Sequence, residues 1–217
     1  LPHGTTQEIV AGLLHHTGHD VVDELIEERR EDLIASIPEG VRVIDLSADF
    51  RIEDGDAYAK WYGHPHRAPQ LQAQAVYGLT EFARDDIAQA RLVACPGCYP
   101  ASALLALVPL VGAGQIDPDD IIVDSKSGVT GAGRAAKESG LCGEVAEGIH
   151  AYALGGHRHG PEIEQELGRV AGRAITLNFT PHLVPMNRGI LSTIYVQLAD
   201  GATAADLRAT LEARYSG

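Results

Sequence analysis

The side chain best suited to covalent chemistry is Cys98, in the segment P-G-C-Y-P at residues 96–100. The apolar residues 92–94 predict a buried strand, Pro96-Gly97 predicts a turn, and the leucine-rich stretch after Pro100 predicts a helix. A cysteine at a helix start lies at the positive end of the helix dipole, beside N–H groups without partners inside the helix. Both features favour a thiolate, and the N–H groups could stabilise an oxyanion. The segment therefore predicts a cysteine nucleophile.

Two other interpretations of this segment stay open. Cys95 and Cys98 form a C-x-x-C pair, which also occurs in dithiol redox proteins and in zinc sites. A zinc site needs two more ligands, which only Cys142 and the histidines could supply, and we predict no metal. Cys95 closes the apolar strand and is expected to be a small buried hydrophobic residue.

A second group of reactive side chains lies at residues 155–162, where two glycines precede His157, Arg158 and His159. A histidine is the usual partner that deprotonates a thiol, and an arginine binds anions. Glu162, in the helix predicted from Pro161 to Val170, could accept a hydrogen bond and select the imidazole tautomer. The alternative for a single loop histidine is a surface residue, but the flanking glycines and the arginine favour a site.

The segment from Ser127 to Arg134 is rich in glycine and follows the strand predicted over 121–124. Gly128, Gly131 and Gly133 allow close approach of a ligand, and successive N–H groups can form an anion-binding nest. The order G-x-x-G-x-G is neither the dinucleotide fingerprint nor a Walker loop, so a plain flexible loop is an equal alternative.

The elements that must position these residues form an α/β half followed by an α+β half. A parallel strand over 41–46 places Ser47 and Arg51 at its carboxyl end, where open sheets bind ligands. Arg51 and Arg188 are candidate anion clamps, although a surface salt bridge is the alternative for each. The remaining predictions are helices over 6–14 (with no strand before it), 15–37 and 54–62, a loop over 63–77, and antiparallel strands over 174–179 and 189–198. The last stretch, to Gly217, predicts an amphipathic helix with Thr203 as its cap and Asp206 three residues on.

The composition is that of an ordinary globular protein, with 45% hydrophobic and 22% charged residues among 217. The net charge of −13 argues against nucleic-acid binding but permits a small anionic substrate. No apolar run reaches membrane-spanning length, and we expect no membrane partner. Three cysteines give no disulfide framework, so we expect a cytoplasmic protein.

These motifs together resemble the N-acetyl-gamma-glutamyl-phosphate reductases, which belong to the aspartate-semialdehyde dehydrogenase-like group. The matching segments follow the family's order and cover almost the whole chain, at 1–4, 43–51, 77–79, 96–100, 125–134, 157–163 and 185–190. The resemblance implies part of a Rossmann-type NADP-binding domain at 1–97 and an α+β catalytic and dimerisation domain at 98–217. It also implies that the family's dinucleotide loop precedes Leu1 and that the chain is a fragment lacking both ends.

The resemblance further implies NADPH-dependent reduction of an acyl phosphate through a thioester on Cys98, as in arginine biosynthesis. His159 is preferred over His157 as the acid/base because it is nearer the helix start and Glu162. The other roles that it implies are a substrate site lined by Ser47, Arg51, Tyr152, His157 and Arg158, and approach to NADP(H) by Ser127, Gly128, Gly131 and Gly133.

Several features limit what the resemblance implies. Thr80 replaces the family's usual proline, Ala101 replaces its common threonine, and residues 15–36 are expected to be an insertion. Aspartyl phosphate or aminoadipyl phosphate is an alternative substrate, and a truncated domain without activity is an alternative from another class. We also expect a homo-oligomer, a dimer or tetramer.

Overall fold

The computed structural model describes residues 9–10, 34, 36–38, 40–133 and 142–216. The chain divides into two compact units, Leu1–Pro96 and Gly97–Gly217. This division lies one residue before the boundary predicted after residue 97. The assignment of cofactor binding to one half and catalysis to the other stays a prediction.

The first unit contains a sheet of four parallel strands in the order β1-β2-β4-β3. The parallel strand predicted over 41–46 is confirmed. The helix predicted over 6–14 is wrong at Ile9 and Val10, which pair in parallel with Val43 and Ile44. A short apolar run does not distinguish a strand from a helix, and here sheet pairing decides. The strands are β1 (Ile9–Val10), β2 (Val43–Asp45), β3 (Val76–Tyr77) and β4 (Leu92–Ala94).

Between β2 and β4, where every residue is described, the chain forms three helices: α1 (Gly55–Tyr62), α2 (Pro69–Gln72) and α3 (Thr80–Gln89). The helix predicted over 54–62 is confirmed as α1. It begins after Asp54 because the Asp54 carboxylate accepts from the Ala57 N–H (2.7 Å) and caps the helix. The predicted loop over 63–77 contains α2 and β3. One buried hydrophobic cluster of this unit contains Ile34, Val43, Phe50, Leu92 and Ala94, and Ile52 and Tyr58 are also buried. The predicted helix and insertion over 15–37 lie almost wholly outside the described residues.

The second unit is built on a mixed sheet in the order β6-β7-β5-β8. The central strand β5 pairs in parallel with β7 and antiparallel with β8, and β6 pairs antiparallel with β7. This confirms an α/β fold with a mixed second sheet. The elements are α4 (Cys98–Gly112), β5 (Ile116–Gly128), a 3₁₀ helix (Val129–Ala132), α5 (Cys142–Val145), β6 (His150–Ala151), α6 (His159–Ala171), β7 (Asn178–Val184), β8 (Ile190–Leu198) and α7 (Ala204–Tyr215).

Of the predicted elements in this unit, the antiparallel strand β8 and the helices α6 and α7 are confirmed, the last with its Thr203–Asp206 capping box. The antiparallel strand predicted over 174–179 is present only at residues 178–179, since β7 begins at Asn178, and β7 pairs in parallel with β5 as well as antiparallel with β6. Just before β7, the Leu177 N–H donates to the Glu164 carboxylate on α6 (3.1 Å) instead of to a strand.

The second sheet has one packed face and one exposed face. Helix α4 packs against β5 and β8, and α6 and α7 pack against α4. Along β5, Val123, Ser125 and Ser127 are buried on the packed face. On the other face, Ile122, Leu191 and Tyr195 are exposed. Among the described residues, no helix is long and apolar enough to cross a bilayer.

Candidate active site

Cys98 is the first residue of α4, and its side chain is exposed. Gly97 occupies the N-cap position, and its carbonyl accepts the first helical hydrogen bond, from the Ala101 N–H (2.9 Å). The predicted helix start is therefore confirmed, and the sulfur lies at the positive end of α4. Cys95 is only half-buried, so the prediction of a buried residue is wrong there. Burial and the Asp45 carboxylate raise the pKa of Cys95, which favours its thiol form, although Arg51 opposes them.

Glu162 connects the start of α6 to the start of α4. Its carboxylate is fully buried, and Oε1 accepts from the Gly97 N–H at 2.7 Å. A buried carboxylate is costly unless it is hydrogen-bonded, and the first turn of a helix stabilises negative charge. The selection of the imidazole tautomer by Glu162 stays a prediction, and the hydrogen bond shows that Glu162 also holds the backbone that precedes Cys98.

His159, the first residue of α6, lies against Gly97. A Cβ atom added to Gly97 would lie 2.5 Å from His159 Nε2, 2.8 Å from Cδ2 and 2.9 Å from Cε1. Real Cβ atoms do not approach other atoms so closely, so the imidazole occupies the space that any other residue at position 97 would fill. The predicted partner histidine is thus placed beside the residue that precedes the candidate nucleophile.

His157 is surrounded by four rings, with centroid distances of 4.7 Å to His159, 5.3 Å to Phe179, 5.6 Å to Tyr152 and 5.7 Å to Tyr99. Its Nδ1 accepts from the His159 N–H at 3.1 Å. Burial, and secondly the charge of Arg158, lower the pKa of His157 to about 4. His157 is therefore neutral at pH 7 and holds the backbone of His159 as an acceptor. Arg158 is exposed at the N-cap of α6.

Tyr99 and Tyr152 form a phenol pair, with 2.8 Å between their hydroxyl oxygens. Burial raises the pKa of both, and the nearby Cys98 adds to the shift in each. Both phenols therefore stay protonated, and since one of them donates to the other, one hydroxyl hydrogen of the pair is used between them. Sequence reasoning did not include Tyr99 or Phe179 among the site residues. Tyr99 follows Cys98 directly in P-G-C-Y-P, so that motif was the available signal.

In the first unit, the side chains of Arg51 and Ser47 form hydrogen bonds at the carboxyl end of β2. The buried Arg51 donates from Nε to the Cys95 carbonyl (2.6 Å) and from Nη2 to the Leu46 carbonyl (3.1 Å). The Ser47 hydroxyl donates to the Asp45 carboxylate (2.7 Å) and accepts from the Asp49 N–H (3.2 Å). These contacts show both side chains organising the loop that follows β2. Their contact with a substrate stays a prediction.

The glycine-rich segment is closed onto the turn at residues 186–189. The N–H groups of Gly128, Val129 and Thr130 donate to the carbonyls of Gly189 (2.9 Å), Met186 (2.9 Å) and Asn187 (3.2 Å). The prediction of an anion-binding nest is therefore wrong for these three N–H groups, because their hydrogens already have acceptors. Ser127, at the end of β5, donates from its hydroxyl to the Gly128 carbonyl (3.0 Å).

The other two glycines of this segment differ in their surroundings. A Cβ on Gly131 would lie 2.5 Å from the Ser127 hydroxyl oxygen, whereas one on Gly133 would meet nothing within 4 Å. Gly133 has a φ of +89°, a conformation that favours glycine, and it is exposed. A ligand could approach the backbone closely at Gly133. Contact of Ser127, Gly128, Gly131 and Gly133 with a cofactor stays a prediction.

In the part of the chain that the structure describes, no group of three or more His, Cys, Asp or Glu side chains is arranged to hold a metal ion.

Residues 98–217 match the family model described as "Semialdehyde dehydrogenase, dimerisation domain". Over the whole chain, a Rhodospirillum rubrum protein named N-acetyl-gamma-glutamyl-phosphate reductase is 55% identical, with 56% of its length covered. An Oryza sativa protein with the same name, marked probable and chloroplastic, is 52% identical over the whole chain, with 46% of its length covered. The chain thus spans about half the length of the curated relatives that it matches.

Solved structures show the same fold. The aspartate semialdehyde dehydrogenase II of Vibrio cholerae gives a TM-score of 0.61 at 18% identity, covering 88% of this chain and 57% of that one. The enzyme from Francisella tularensis gives 0.60 at 12% identity, covering 88% and 60%. Since the family model matches more than half of the residues, the chain belongs to the semialdehyde dehydrogenase family, whose dimerisation domain it contains at residues 98–217.

Proposed function

We propose that the protein reduces N-acetyl-glutamyl 5-phosphate to N-acetylglutamate 5-semialdehyde with NADPH, a reaction of arginine biosynthesis. The observation that carries the proposal is the His159 imidazole, packed against the residue that precedes an exposed cysteine at a helix start. The high identity to relatives named for this reaction supports the choice of substrate.

In the proposed reaction, Cys98 forms a bond from its sulfur to the acyl carbon. The bond from that carbon to the phosphate oxygen breaks, and phosphate leaves with the electron pair. The N–H groups at the start of α4 stabilise the oxyanion that forms in between. His159 takes the thiol proton before the attack, which makes the sulfur a stronger nucleophile.

NADPH, when bound, supplies the hydride that reduces the thioester carbon. The oxyanion that hydride addition leaves takes the proton that His159 holds from the first step and becomes a thiohemiacetal. On collapse to the aldehyde, His159 takes the hydroxyl proton back and returns it to the sulfur. The exposed backbone at Gly133 fits close approach of the cofactor, and we propose that Ser127, Gly128 and Gly131 of the same segment contribute to that contact. Their proposed role is contact and shape, because the N–H groups of residues 128–130 have other acceptors.

Substrate binding is proposed for Tyr152, His157 and Arg158 in the second unit and for Ser47 and Arg51 in the first. Tyr152 stays protonated and, when Tyr99 is the donor of their shared hydrogen bond, can donate to a carbonyl, while the exposed guanidinium of Arg158 attracts the phosphate. Glu162 acts through Gly97 and is a positioning residue in this scheme.

A related acyl-phosphate reductase is the alternative, since the solved structures that share the fold are named for aspartate semialdehyde. At 12–18% identity they show the fold alone, and the relatives above 50% identity favour the acetylglutamyl substrate. A comparison of turnover on acetylglutamyl and aspartyl phosphates separates the two. Faster reduction of aspartyl phosphate would contradict the proposed substrate.

We also infer that two copies associate through the exposed face of the second sheet, which carries Ile122, Leu191 and Tyr195. In the middle of this face, Lys126 Nζ lies 2.5 Å from Asp124 Oδ2. A twofold axis there places each lysine near the aspartate of the other copy, so the face is complementary to itself. The match to a dimerisation domain supports this. A cytoplasmic location stays a proposal, supported by the odd number of cysteines.

The first test measures iodoacetamide labelling of Cys98 against pH, with mass-spectrometric assignment, in the wild-type chain and in His159→Ala. We expect selective labelling of Cys98 with an apparent pKa below the roughly 8.5 of a free thiol, and a higher value in the variant. Cys95→Ser is the matched control and should label at Cys98 as the wild type does. Labelling of Cys98 and Cys95 at equal rates, unchanged by His159→Ala, would contradict an assembled site.

The second part of the test measures NADPH oxidation with the acyl phosphate. Cys98→Ser should lose at least about 10³-fold in kcat, and His159→Ala about 10²–10⁴-fold. Cys95→Ser should retain activity, since only one thiol reacts. If both cysteine variants lost activity equally, dithiol chemistry would be favoured over a single nucleophile.

A further inference from the structure

Gly97 has a feature that its backbone conformation does not explain. Its φ of −62° and ψ of 153° are values that any L-residue adopts, so the position does not need glycine for a left-handed turn. The reason for glycine lies in the space around its α-carbon. The three ring atoms of His159 nearest to a Cβ there are Nε2, Cδ2 and Cε1, all within 2.9 Å.

The first turn of α6 contacts Gly97 at two points. The Glu162 carboxylate accepts the Gly97 N–H (2.7 Å), and the His159 ring occupies the side-chain space. His159 is in turn held by His157, whose Nδ1 accepts its N–H (3.1 Å). The imidazole is therefore confined between its own backbone anchor and the α-carbon of residue 97.

We propose that Gly97 is a positioning residue, which keeps the His159 imidazole beside Cys98 by having no side chain. Nε2 is the atom of the His159 ring that lies closest to a Cβ added at Gly97. A methyl group on residue 97 therefore displaces the nitrogen that faces the start of α4. Displacement weakens proton transfer between the imidazole and the sulfur, because such transfer requires hydrogen-bond distance. The inference rests on the proposed role of His159 as the acid/base.

The test uses the wild-type chain, Gly97→Ala, His159→Ala and the double variant, with the pH profile of Cys98 alkylation as the readout. We expect Gly97→Ala to slow alkylation at pH 7 by about tenfold, as an apparent pKa raised by about one unit would do. In the His159→Ala background, Gly97→Ala should add no slowing beyond the cost of the poorer N-cap residue, because the ring that the methyl group displaces is absent.

Gly160→Ala is the matched control, because it adds the same methyl group directly after His159, in the first turn of α6, where nothing lies within 4 Å. It should label as the wild type does. Alanine is also a poorer N-cap residue than glycine, but that cost does not depend on the ring and so appears equally in both backgrounds. The double variant therefore separates a capping effect from the contact with His159.

The inference is overturned if Gly97→Ala labels like the wild type, or if its effect is undiminished in the His159→Ala background. It is also overturned if His159→Ala leaves alkylation unchanged, since there is then no histidine effect to protect. Loss of folding in Gly97→Ala supports the contact if His159→Ala restores folding and contradicts it otherwise. A chain with histidine-dependent labelling that reduces no acyl phosphate contradicts the proposed reaction and leaves the contact at Gly97 in place.

Discussion

Two histidines that are two residues apart in the sequence have different environments in the fold. His157 lies among four rings, neutral at pH 7, and accepts a hydrogen bond from the His159 backbone. His159 lies against Gly97 at the start of α4. A group with a pKa of about 4 is a weak base at neutral pH, so this difference supports His159 over His157 as the proposed acid/base.

The lowered pKa of His157 predicts how stability depends on pH. The unfolded chain binds the proton with an ordinary pKa of 6.5, and the folded chain only at about 4. Between pH 4 and pH 6.5 the unfolded state binds more protons than the folded state. The free energy of unfolding therefore increases with pH in this range, and the stability present at pH 7 decreases as the pH falls. Because the His157 ring is partly exposed and therefore screened by solvent, we expect its contribution to the free energy of unfolding at pH 7 to be about 1–2 kcal/mol.

His157→Asn should remove this contribution, because asparagine does not titrate while its amide oxygen can still accept the His159 N–H. Urea unfolding of both proteins at pH 7 and pH 4.5 measures the difference. The wild type should lose more stability on acidification than the variant. Equal losses would show that His157 is not the titrating group.

At the scale of elements, the end of β5 and the 3₁₀ helix are closed onto the turn at 186–189 by three backbone hydrogen bonds. Gly128 lies at the closest point, where an added Cβ would be 2.8 Å from the Arg188 nitrogen and 2.9 Å from the Asn187 carbonyl carbon. These are backbone atoms on both sides, so neither segment can yield by a side-chain rotation.

Gly128→Ala should therefore lower the free energy of unfolding by about 1–3 kcal/mol, the usual cost of overpacking. Gly143→Ala is the control, since a Cβ there meets nothing within 4 Å. Chemical denaturation of both variants provides the comparison. A Gly128→Ala protein as stable as the control would mean that the two segments separate easily.

At the scale of the whole molecule, the net charge of −13 opposes association of two copies, so an apolar surface must supply the attraction. The exposed face of the second sheet has that character, with Leu191 63% and Tyr195 56% exposed on β8. Both residues lie opposite β5 in register, Leu191 beside Lys126 and Tyr195 beside Ile122. The apolar side chains of this face therefore flank the Asp124–Lys126 ion pair on β5.

Leu191→Asp should weaken the proposed dimer at least about tenfold, because it buries a charge in an apolar contact and adds like charge. Ile149→Asp is the control, as Ile149 is 60% exposed but lies outside the strands of the sheet. Analytical ultracentrifugation across a concentration series measures both. A monomeric wild type, or equal dissociation of the two variants, would argue against this face.

Local chemistry was sufficient for much of the fold. Some signals depend only on neighbouring residues, and the structure has each of them. They are the cap at Asp54, the Thr203–Asp206 capping box and the strand–turn–helix whose helix begins at Cys98. The resemblance to a semialdehyde dehydrogenase also came from short contiguous motifs. Pairing partners did not follow from such signals, as the parallel strands β1 and β7 show.

The candidate site divides in the same way. Residue types and spacing identified Cys98, His157, His159 and Glu162 as candidates, because reactivity is a property of the side chain and of its place on a helix. Only the packing of α6 against α4 showed that Glu162 accepts from Gly97 and that the His159 ring fills the space beside it. Likewise, only the turn at 186–189 showed that the N–H groups of residues 128–130 already have acceptors. Hydrogen-bond partners and excluded space depend on residues about 60 positions apart, and no local pattern records which distant atoms the folded chain brings together.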